Sequence, residues 1–164
     1  MDTENFVLVT LGTQKFQFDR LLAEIDRLVE TGEITCKIFA QTGGSDYEPK
    51  HFEHLKFLPK NEIKKMQQNA DVIITHGGSG SIIEALKMKK KVIAIPRLEK
   101  YGEHVDDHQT EIVSKFADEG YIIQVREMKD LGDAIKNIEK FNPREYKGSS
   151  EELIDAIINI IESL

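Results

Sequence analysis

Residues 73–86 decide the fold, and they read Ile73-Ile74-Thr75-His76-Gly77-Gly78-Ser79-Gly80-Ser81-Ile82-Ile83-Glu84-Ala85-Leu86. An apolar strand ending at Thr75 runs directly into a glycine-rich turn, and a helix follows at once. Glycine lets the backbone bend sharply and lets a ligand come close, because no Cβ is in the way. The start of the helix offers unpaired N–H groups and the positive end of the helix dipole. The segment therefore favours a site for a phosphate or diphosphate, with the alternative that the glycines serve only a tight turn.

Two familiar phosphate-binding patterns do not fit this segment. The glycines read Gly-Gly-Ser-Gly and not G-x-G-x-x-G, and no Gly-Lys-Ser/Thr follows, which excludes a P-loop and argues against ATP hydrolysis. Glu84 lies about one turn into the helix. An acceptor-only carboxylate at this place suits the two hydroxyls of a ribose, and the alternative is an ordinary exposed helical acid.

Composition narrows the class of protein. The chain has 164 residues, one cysteine (Cys36) and a formal net charge of −7, which argues against a nucleic-acid partner and against binding of anionic lipid by the whole surface. The basic run at 87–91 is interpreted as a solvated helix end, with a membrane-facing role as the alternative. A single cysteine forms neither a disulfide framework nor a thiolate metal site within the chain, and it fits an intracellular setting. We expect no signal peptide and no membrane-spanning segment.

Strands and helices are predicted to alternate along the chain. Strands are expected at 6–11, 34–40, 54–58, 71–75, 91–95 and 122–125, and helices at about 21–30, after Pro59, and at 79–88, 108–118, 131–141 and 150–164. This order predicts an α/β fold, a Rossmann-like parallel sheet of three layers with helices on both faces. Ligands of such sheets bind beyond the carboxyl ends of the strands, and the unusual loops of the chain lie at that edge.

Four segments occur in a characteristic order: Leu11-Gly12-Thr13, His76 to Leu86, Lys91 to Arg97, and His104 to Gln109. In this combination the chain resembles, over about residues 5–125, the C-terminal, donor-binding half of the glycosyltransferase family that includes MurG. It resembles still more closely the short stand-alone form, in which a small chain pairs with a membrane-associated chain that supplies the acceptor half. Eukaryotic dolichol-linked N-acetylglucosamine transfer and bacterial capsule and exopolysaccharide synthesis use such pairs. The resemblance implies one half of a GT-B fold and a single nucleotide-sugar-binding domain over residues 1–164.

The resemblance also implies a role for each matching residue. Residues facing the diphosphate of a UDP-sugar are Gly12, Thr13, His76, Gly77, Gly78 and Ser79, and the ribose is held by Glu84. Backbone groups of Phe57 and Leu58 pair with the uracil edge, and the donor sugar faces His104, Asp107, His108 and Gln109. Gln109 is the best candidate for reading sugar hydroxyls, because an amide both donates and accepts. The first loop departs from the family, since single-chain members tend to carry two glycines and a serine there.

Several of these residues have a second interpretation. Thr13 has the alternative of capping the next turn, and His76 that of a packed histidine. His104 and His108 are four residues apart, a spacing that also suits a metal together with Asp107. Arg97 is expected to pair with a phosphate, or with Glu99 or Glu103.

The implied reaction is displacement at the anomeric carbon of a UDP-sugar, with inversion and with UDP leaving. The acceptor is a lipid-diphosphate-linked sugar, no cofactor or obligate metal is expected, and the general base lies on the partner. We expect the chain to be cytoplasmic, held at the inner membrane face through its partner, and weakly active alone. A wide apolar surface on the helix at 150–164 is expected either to dock on that partner or to be buried. The alternatives are a non-catalytic regulatory subunit and, less favoured by the length, a nucleotide-sugar epimerase.

Overall fold

Six parallel strands form one sheet in the computed structural model, which describes residues 1, 3–148 and 158. They are β1 (Phe6–Thr10), β2 (Lys37–Gln41), β3 (Glu53–Leu55), β4 (Val72–His76), β5 (Lys91–Ile95) and β6 (Ile123–Gln124). Their order across the sheet is β3-β2-β1-β4-β5-β6, so the chain winds outward in one direction from β1 and in the other from β4. The place between these two strands is the topological switch point, where doubly wound sheets bind their ligands.

Five helices cover the two faces of the sheet in the described part of the chain. They are α1 (Asp19–Glu30), α2 (Lys60–Asn69), α3 (Ser79–Lys87), α4 (His108–Asp118) and α5 (Leu131–Asn137). One core contains side chains of α1 and α5, and the other contains side chains of α2, α3 and α4. The expected three layers, with helices on both faces, are therefore confirmed.

The central strands are apolar on both faces. Val7 and Val9 of β1 enter the core beside α1, whereas Leu8 between them enters the opposite core. Successive side chains of a strand point to opposite faces, so a strand covered on both sides has no polar alternation. The same alternation places Ile74 of β4 in the core beside α1 and Ile73 in the opposite core.

The second strand begins later than its apolar pattern predicted. The expected strand began at Ile34, but pairing begins at Lys37. The Ile34 N–H donates to the Leu28 carbonyl at 3.1 Å, which continues the turn that ends α1. Ile34 is only 4% exposed, so it is buried in the core without belonging to the sheet.

Two other predicted boundaries also differ. The third strand, expected at 54–58, is Glu53–Leu55, because Pro59 already forms the N-cap of α2. The helix expected through 141 ends at Asn137, and a 3₁₀ turn follows over Ile138–Lys140. The helix predicted at 150–164 lies outside the described residues apart from Ile158, and its docking on a partner stays a prediction. Within the described ranges, no helix combines the length and the apolarity needed to cross a bilayer.

Candidate functional site

The first predicted loop and the fourth strand meet at the switch point. Gly12 follows β1 with a positive φ of 75°, and a Cβ on it would lie 3.0 Å from Nε2 of His76. Beneath them, the Thr75 hydroxyl donates to the Thr10 carbonyl at 2.9 Å. Glycine at position 12 is therefore needed both for its backbone conformation and for the close approach of the imidazole.

His76 is neutral, and its tautomer follows from its contacts. It is the last residue of β4 rather than a loop residue, and its Nδ1 accepts the N–H of Gly78 at 3.1 Å. Burial lowers the pKa of His76 to about 3, and the positive charge of Arg97 acts in the same direction. Since Nδ1 is the acceptor, the proton of the neutral ring lies on Nε2.

The Nε2–H group of His76 is buried and finds no acceptor among the described residues. A buried donor without an acceptor costs about 1–3 kcal/mol. Native proteins satisfy nearly all such groups. A ligand oxygen placed beside Gly12 would supply the missing acceptor.

Gln109 joins the same cluster from α4. Its side-chain oxygen accepts the N–H of Gly77 at 3.3 Å and the N–H of Arg97 at 3.0 Å. Its Nε2 lies 3.5 Å from Nδ1 of His76. Gln109 is buried and holds the loops after β4 and β5 together. Because its oxygen is already occupied, only its amide nitrogen is left for the predicted contact with sugar hydroxyls.

The start of α3 is open. Gly78 is its N-cap residue, and no side chain of the described residues caps the helix, so the N–H groups of its first turn have no side-chain acceptor among them. Ser79 is the first residue of α3 and is half-buried. A Cβ on Gly80 would meet nothing within 4 Å, so this glycine is not required by the packing of the protein itself. An anion at a helix start is stabilised by these N–H groups and by the helix dipole.

Other predicted residues lie apart from this cluster. Thr13 and Glu84 are exposed, and Phe57 is 55% exposed while Leu58 packs against the core beside α2. None of the four forms a side-chain hydrogen bond or ion pair with the His76 cluster in the described part of the chain. The N-cap residue of α1 is Phe18, and the alternative that Thr13 caps the turn after it stays a prediction. The ribose and uracil roles stay predictions.

The residues expected at the donor sugar shape the loop before α4. The ring of His104 lies 4.6 Å from the ring of Phe16 in the first loop. The carboxylate of Asp107 accepts the N–H of Glu99 at 2.8 Å, and His108 begins α4, with Nδ1 3.6 Å from a carboxylate oxygen of Glu111. Across residues 1, 3–148 and 158, no three His, Cys, Asp or Glu side chains group as metal ligands.

Arg97 is the residue whose role the sequence did not predict. It forms no ion pair with Glu99 or Glu103. Instead its Nη2 donates to the carbonyls of Leu11 at 2.8 Å and Phe16 at 3.2 Å, which bracket the first loop. Arg97 is 1% exposed, and burial lowers its pKa to about 10, against the opposing effect of Glu103. It therefore stays protonated at neutral pH and holds the loop that carries Gly12.

Glu103 belongs to a neighbouring pair that was also missed. Its carboxylate accepts from Nε of Arg20 at 2.9 Å and from Nη2 at 3.0 Å. The guanidinium groups of Arg20 and Arg97 lie 5.6 Å and 5.4 Å from the centre of the Phe18 ring. The sequence signal was weak, because only the position of Arg97 directly after β5 marked it as a residue of the ligand-binding edge.

A doubly wound sheet with a glycine turn and an uncapped helix start at its switch point defines a nucleotide-binding class of α/β domain. Residues 6–164 match the model of the glycosyltransferase family 28 C-terminal domain, and the chain belongs to that family. This confirms the family expected from the motifs.

Known proteins give the comparison more detail. The chain is 30% identical over 108 residues to the UDP-N-acetylglucosamine transferase subunit ALG13 of Candida albicans, covering 66% of this chain and 35% of that protein. The human ALG13 subunit is 28% identical over 125 residues, covering 71% of this chain and 10% of that protein. The chain thus spans about a third or less of the length of these curated relatives.

Solved structures share the fold. The NMR solution structure of ALG13 has a TM-score of 0.58 at 16% identity, covering 93% of this chain and 94% of that chain. The crystal structure of Acinetobacter baumannii MurG has a TM-score of 0.61 at 18% identity, covering 99% of this chain and 46% of that chain. At these identities the likeness is one of fold, and the match to less than half of MurG agrees with the predicted half of a GT-B fold.

Proposed function

We propose that this chain is the donor-binding subunit of an inverting UDP-sugar glycosyltransferase. The observation that carries the proposal is the buried Nε2–H of His76, which has no acceptor in the described part of the chain and faces Gly12 at the switch point. Membership of family 28 supports it. The proposed partner is a membrane-associated, acceptor-binding chain, and the proposed acceptor is a lipid-diphosphate-linked sugar in capsule or exopolysaccharide synthesis.

The proposed diphosphate contacts are hydrogen bonds from neutral and backbone groups. A diphosphate oxygen accepts from Nε2 of His76, and others accept from the first-turn N–H groups of α3. When the bond to the anomeric carbon breaks, negative charge grows on the leaving UDP. Donors that are already in place stabilise that charge without rearranging, so the mechanism requires no metal from this chain.

Recognition of the rest of the donor follows the same edge of the sheet. Glu84, on the second turn of α3, accepts hydrogen bonds from the ribose hydroxyls. No cationic side chain among the described residues forms an ion pair with its carboxylate. The uracil pairs with backbone groups of Phe57 and Leu58 beyond β3. The sugar faces the loop that carries His104, Asp107 and His108.

His76 cannot be the general base of the reaction. Its Nδ1 lone pair accepts from Gly78 and its Nε2 already carries the proton. A base must be able to take a proton from the acceptor hydroxyl. In our proposal the partner chain supplies that base and holds this chain at the cytoplasmic membrane face.

Calorimetric titration of the purified chain with UDP, without added metal, tests the donor-binding role. We expect saturable binding that Glu84→Ala weakens about tenfold or more, as for loss of a hydrogen bond to a charged group. Glu30→Gln is the matched control, because Glu30 is also an exposed helical acid but lies at the far end of α1. Absence of UDP binding by the chain and by its complex with the partner would refute the proposal.

The same titration, repeated with different UDP-sugars, identifies the donor sugar. Because the relatives from Candida albicans and human are named as UDP-N-acetylglucosamine transferase subunits, UDP-N-acetylglucosamine is the first donor to compare with UDP-glucose, UDP-galactose and UDP-glucuronic acid. A clear ranking among these, with equal UDP affinity, would assign the sugar.

The alternative of a non-catalytic regulatory subunit is favoured by one observation. The Oε1 atom of Gln109 already accepts two backbone N–H groups, which leaves less of this side chain for the sugar. If the partner reads the sugar alone, this chain and its partner will rank UDP-sugars identically whether Gln109 is present or replaced by Glu.

A further inference from the structure

A second concave surface lies at the carboxyl edge of the sheet, beside α1. It is a cavity of about 300 Å³ between residues 98–101 after β5, residues 126–129 after β6, and Arg20 in the first turn of α1. We call it the basic pocket. None of the residues that line it is among the proposed donor contacts, and Glu84 lies on α3, which covers the opposite face of the sheet.

The charges of the basic pocket are only partly compensated. Lys129 pairs with Glu127 at 3.1 Å, and Arg20 pairs with Glu103, which lies behind it. Lys100 and Arg126 also line the pocket, and neither has a carboxylate partner among the described residues. The cavity is lined by four cationic side chains, those of Arg20, Lys100, Arg126 and Lys129, and by one carboxylate, that of Glu127, in a chain whose net charge is −7. Placing like charges together costs free energy, which an anion between them offsets.

The part of the wall formed by residues 98–101 is held in place. The guanidinium carbon of Arg20 lies 4.4 Å from the centre of the Tyr101 ring, and Gln17 donates to the Tyr101 carbonyl at 3.0 Å. Glu103 accepts the N–H of Leu98 at 3.0 Å. A site whose groups are already ordered loses less entropy on binding than a flexible surface does.

Two exposed apolar side chains lie on the loop that follows β5, and one of them, Tyr101, lines the basic pocket. Tyr101 is 47% exposed and Val105 is 68% exposed. Lysine and arginine next to exposed aromatic and aliphatic side chains suit the headgroup region of a membrane. There the cations meet phosphates and amphipathic rings lie at the interface.

We propose that the basic pocket binds the phosphate of an anionic phospholipid headgroup, so that this chain itself touches the membrane surface. Lys100 and Arg126 donate charge-assisted hydrogen bonds to the phosphate oxygens, and Tyr101 lies against the lipid. This goes beyond the proposed transferase role, in which only the partner contacts the membrane. Soluble phosphate has the same oxygen chemistry, so the experiment must separate the two sources.

Co-sedimentation with vesicles tests the basic pocket. The full chain is mixed with vesicles of equal parts phosphatidylglycerol and phosphatidylcholine, and with vesicles of phosphatidylcholine alone. We expect binding to the anionic vesicles only, weakened about tenfold or more in the double variant Lys100→Glu/Arg126→Glu, since each basic residue near an anionic surface contributes about 1 kcal/mol. Both side chains are at the surface, so the fold is retained.

The matched control is Lys87→Glu/Lys140→Glu, which changes the net charge equally at exposed positions. Lys87 ends α3 and Lys140 follows α5, which places both at the opposite edge of the sheet. Equal loss of vesicle binding in the two double variants, or no binding by the unaltered chain, would overturn the proposal.

Titration with glycerol phosphate separates a soluble ligand from a lipid. Binding of glycerol phosphate that depends on Lys100 and Arg126, without any vesicle binding, would overturn the lipid as the occupant. UDP titration of the same double variant keeps this result independent of the proposed transferase role. We expect its UDP affinity to be unchanged.

Discussion

Arg97 shows how a single buried charge organises a loop that it does not belong to. Its guanidinium donates to two carbonyls on either side of the Gly12 loop, and those carbonyls then point inward. In our proposal the N–H groups of that loop then face the ligand. Burying a charge is costly unless it is well hydrogen-bonded, so the two carbonyls and the nearby Glu103 are what keep Arg97 there.

Replacing Arg97 by lysine should loosen this loop. An ammonium group is a compact charge on a flexible stem and does not reproduce the planar fork of arginine. We expect Arg97→Lys to lower the free energy of unfolding by about 2–4 kcal/mol, as for a broken buried network. The UDP affinity should fall about tenfold if the loop N–H groups contribute a typical charge-assisted bond.

Leu28→Ala separates loop positioning from general destabilisation. Leu28 is buried on α1 near the opposite edge of the sheet, and its truncation should cost a similar 2–5 kcal/mol. Chemical denaturation gives the stabilities, and calorimetry gives the UDP affinities. Equal UDP affinity in Arg97→Lys and the unaltered chain would show that Arg97 has no part in the loop geometry.

At the residue scale, contacts between neighbours in the sequence could be predicted, whereas contacts between residues far apart in the sequence could not. Gly77, Gly78 and Ser79 share one motif with His76, so their meeting at one turn follows from chain order alone. Arg97 meets the first loop across 86 and 81 residues, and Glu103 meets Arg20 across 83. Such pairs depend on how the loops pack after the sheet has formed, and a single sequence carries no signal for that.

The segment between β2 and β3 is fixed to α1 by two carboxylates, of which that of Asp26 is buried. Asp26, on the third turn of α1, accepts the Tyr47 hydroxyl at 2.8 Å, the N–H of His51 at 2.8 Å and the N–H of Lys50 at 3.0 Å. Asp19 accepts the N–H of Tyr47 at 2.9 Å. Helix α1 therefore both buries an apolar face and orders the loop that leads to the edge strand β3.

Asp26→Asn tests this attachment. The amide that replaces the carboxylate directs N–H donors at the backbone N–H groups of the loop. We expect the free energy of unfolding at pH 7 to fall by about 2–3 kcal/mol, the worth of hydrogen bonds to a charged group. Chemical denaturation measures it. Glu30→Gln, an exposed change on the same helix, should alter stability by no more than about 0.5 kcal/mol.

The pH dependence of that difference has a definite sign. Burial by itself raises the pKa of Asp26, but hydrogen bonds from Lys50, Tyr47 and His51 outweigh it, and the pKa is lowered from 3.8. The unfolded carboxyl therefore takes up its proton first as the pH falls. The stability that Asp26 contributes is complete well above pH 3.8 and is lost as the pH falls through the lowered folded pKa. The gap between the two proteins should narrow in acid, and a gap that stays constant from pH 7 to pH 3 would contradict the assignment.

Element types followed from the sequence more reliably than element ends. Apolar runs predicted all the strands of the described sheet, because β1, β4 and β5 are buried on both faces. The same signal failed at Ile34, which is buried in the core but contributes no strand pairing, and at Phe57 and Leu58, which lie past the short strand β3. Apolarity reports burial, and strand pairing needs a neighbour as well.

On the scale of the whole molecule, the carboxyl edge of the sheet presents two different surfaces. The His76 cluster lies at the switch point between β1 and β4, and the basic pocket lies beyond β5 and β6 on the side of α1. If both proposals hold, the donor and the membrane meet the same edge of the chain. A lipid-linked acceptor held by the partner would then approach the donor from that edge.

If this chain binds the donor and its partner supplies the base and the acceptor, the free chain is predicted to bind the UDP-sugar without transferring the sugar. His76 has no free lone pair, so the group closest to the proposed diphosphate offers no base, and the acceptor half is expected on the partner. We expect the purified chain to bind UDP-sugar but to release UDP at no more than about one-hundredth of the rate of the two-chain complex, since general base catalysis alone contributes about 10²–10⁴-fold. A coupled assay of UDP release, with and without the partner and a lipid-linked acceptor, measures both rates.

Glu84→Ala in the complex should lower the rate at limiting UDP-sugar, whereas Glu30→Gln should leave it unchanged. Full turnover by the free chain would place the base within this sequence and end the case for a donor-binding half that depends on its partner.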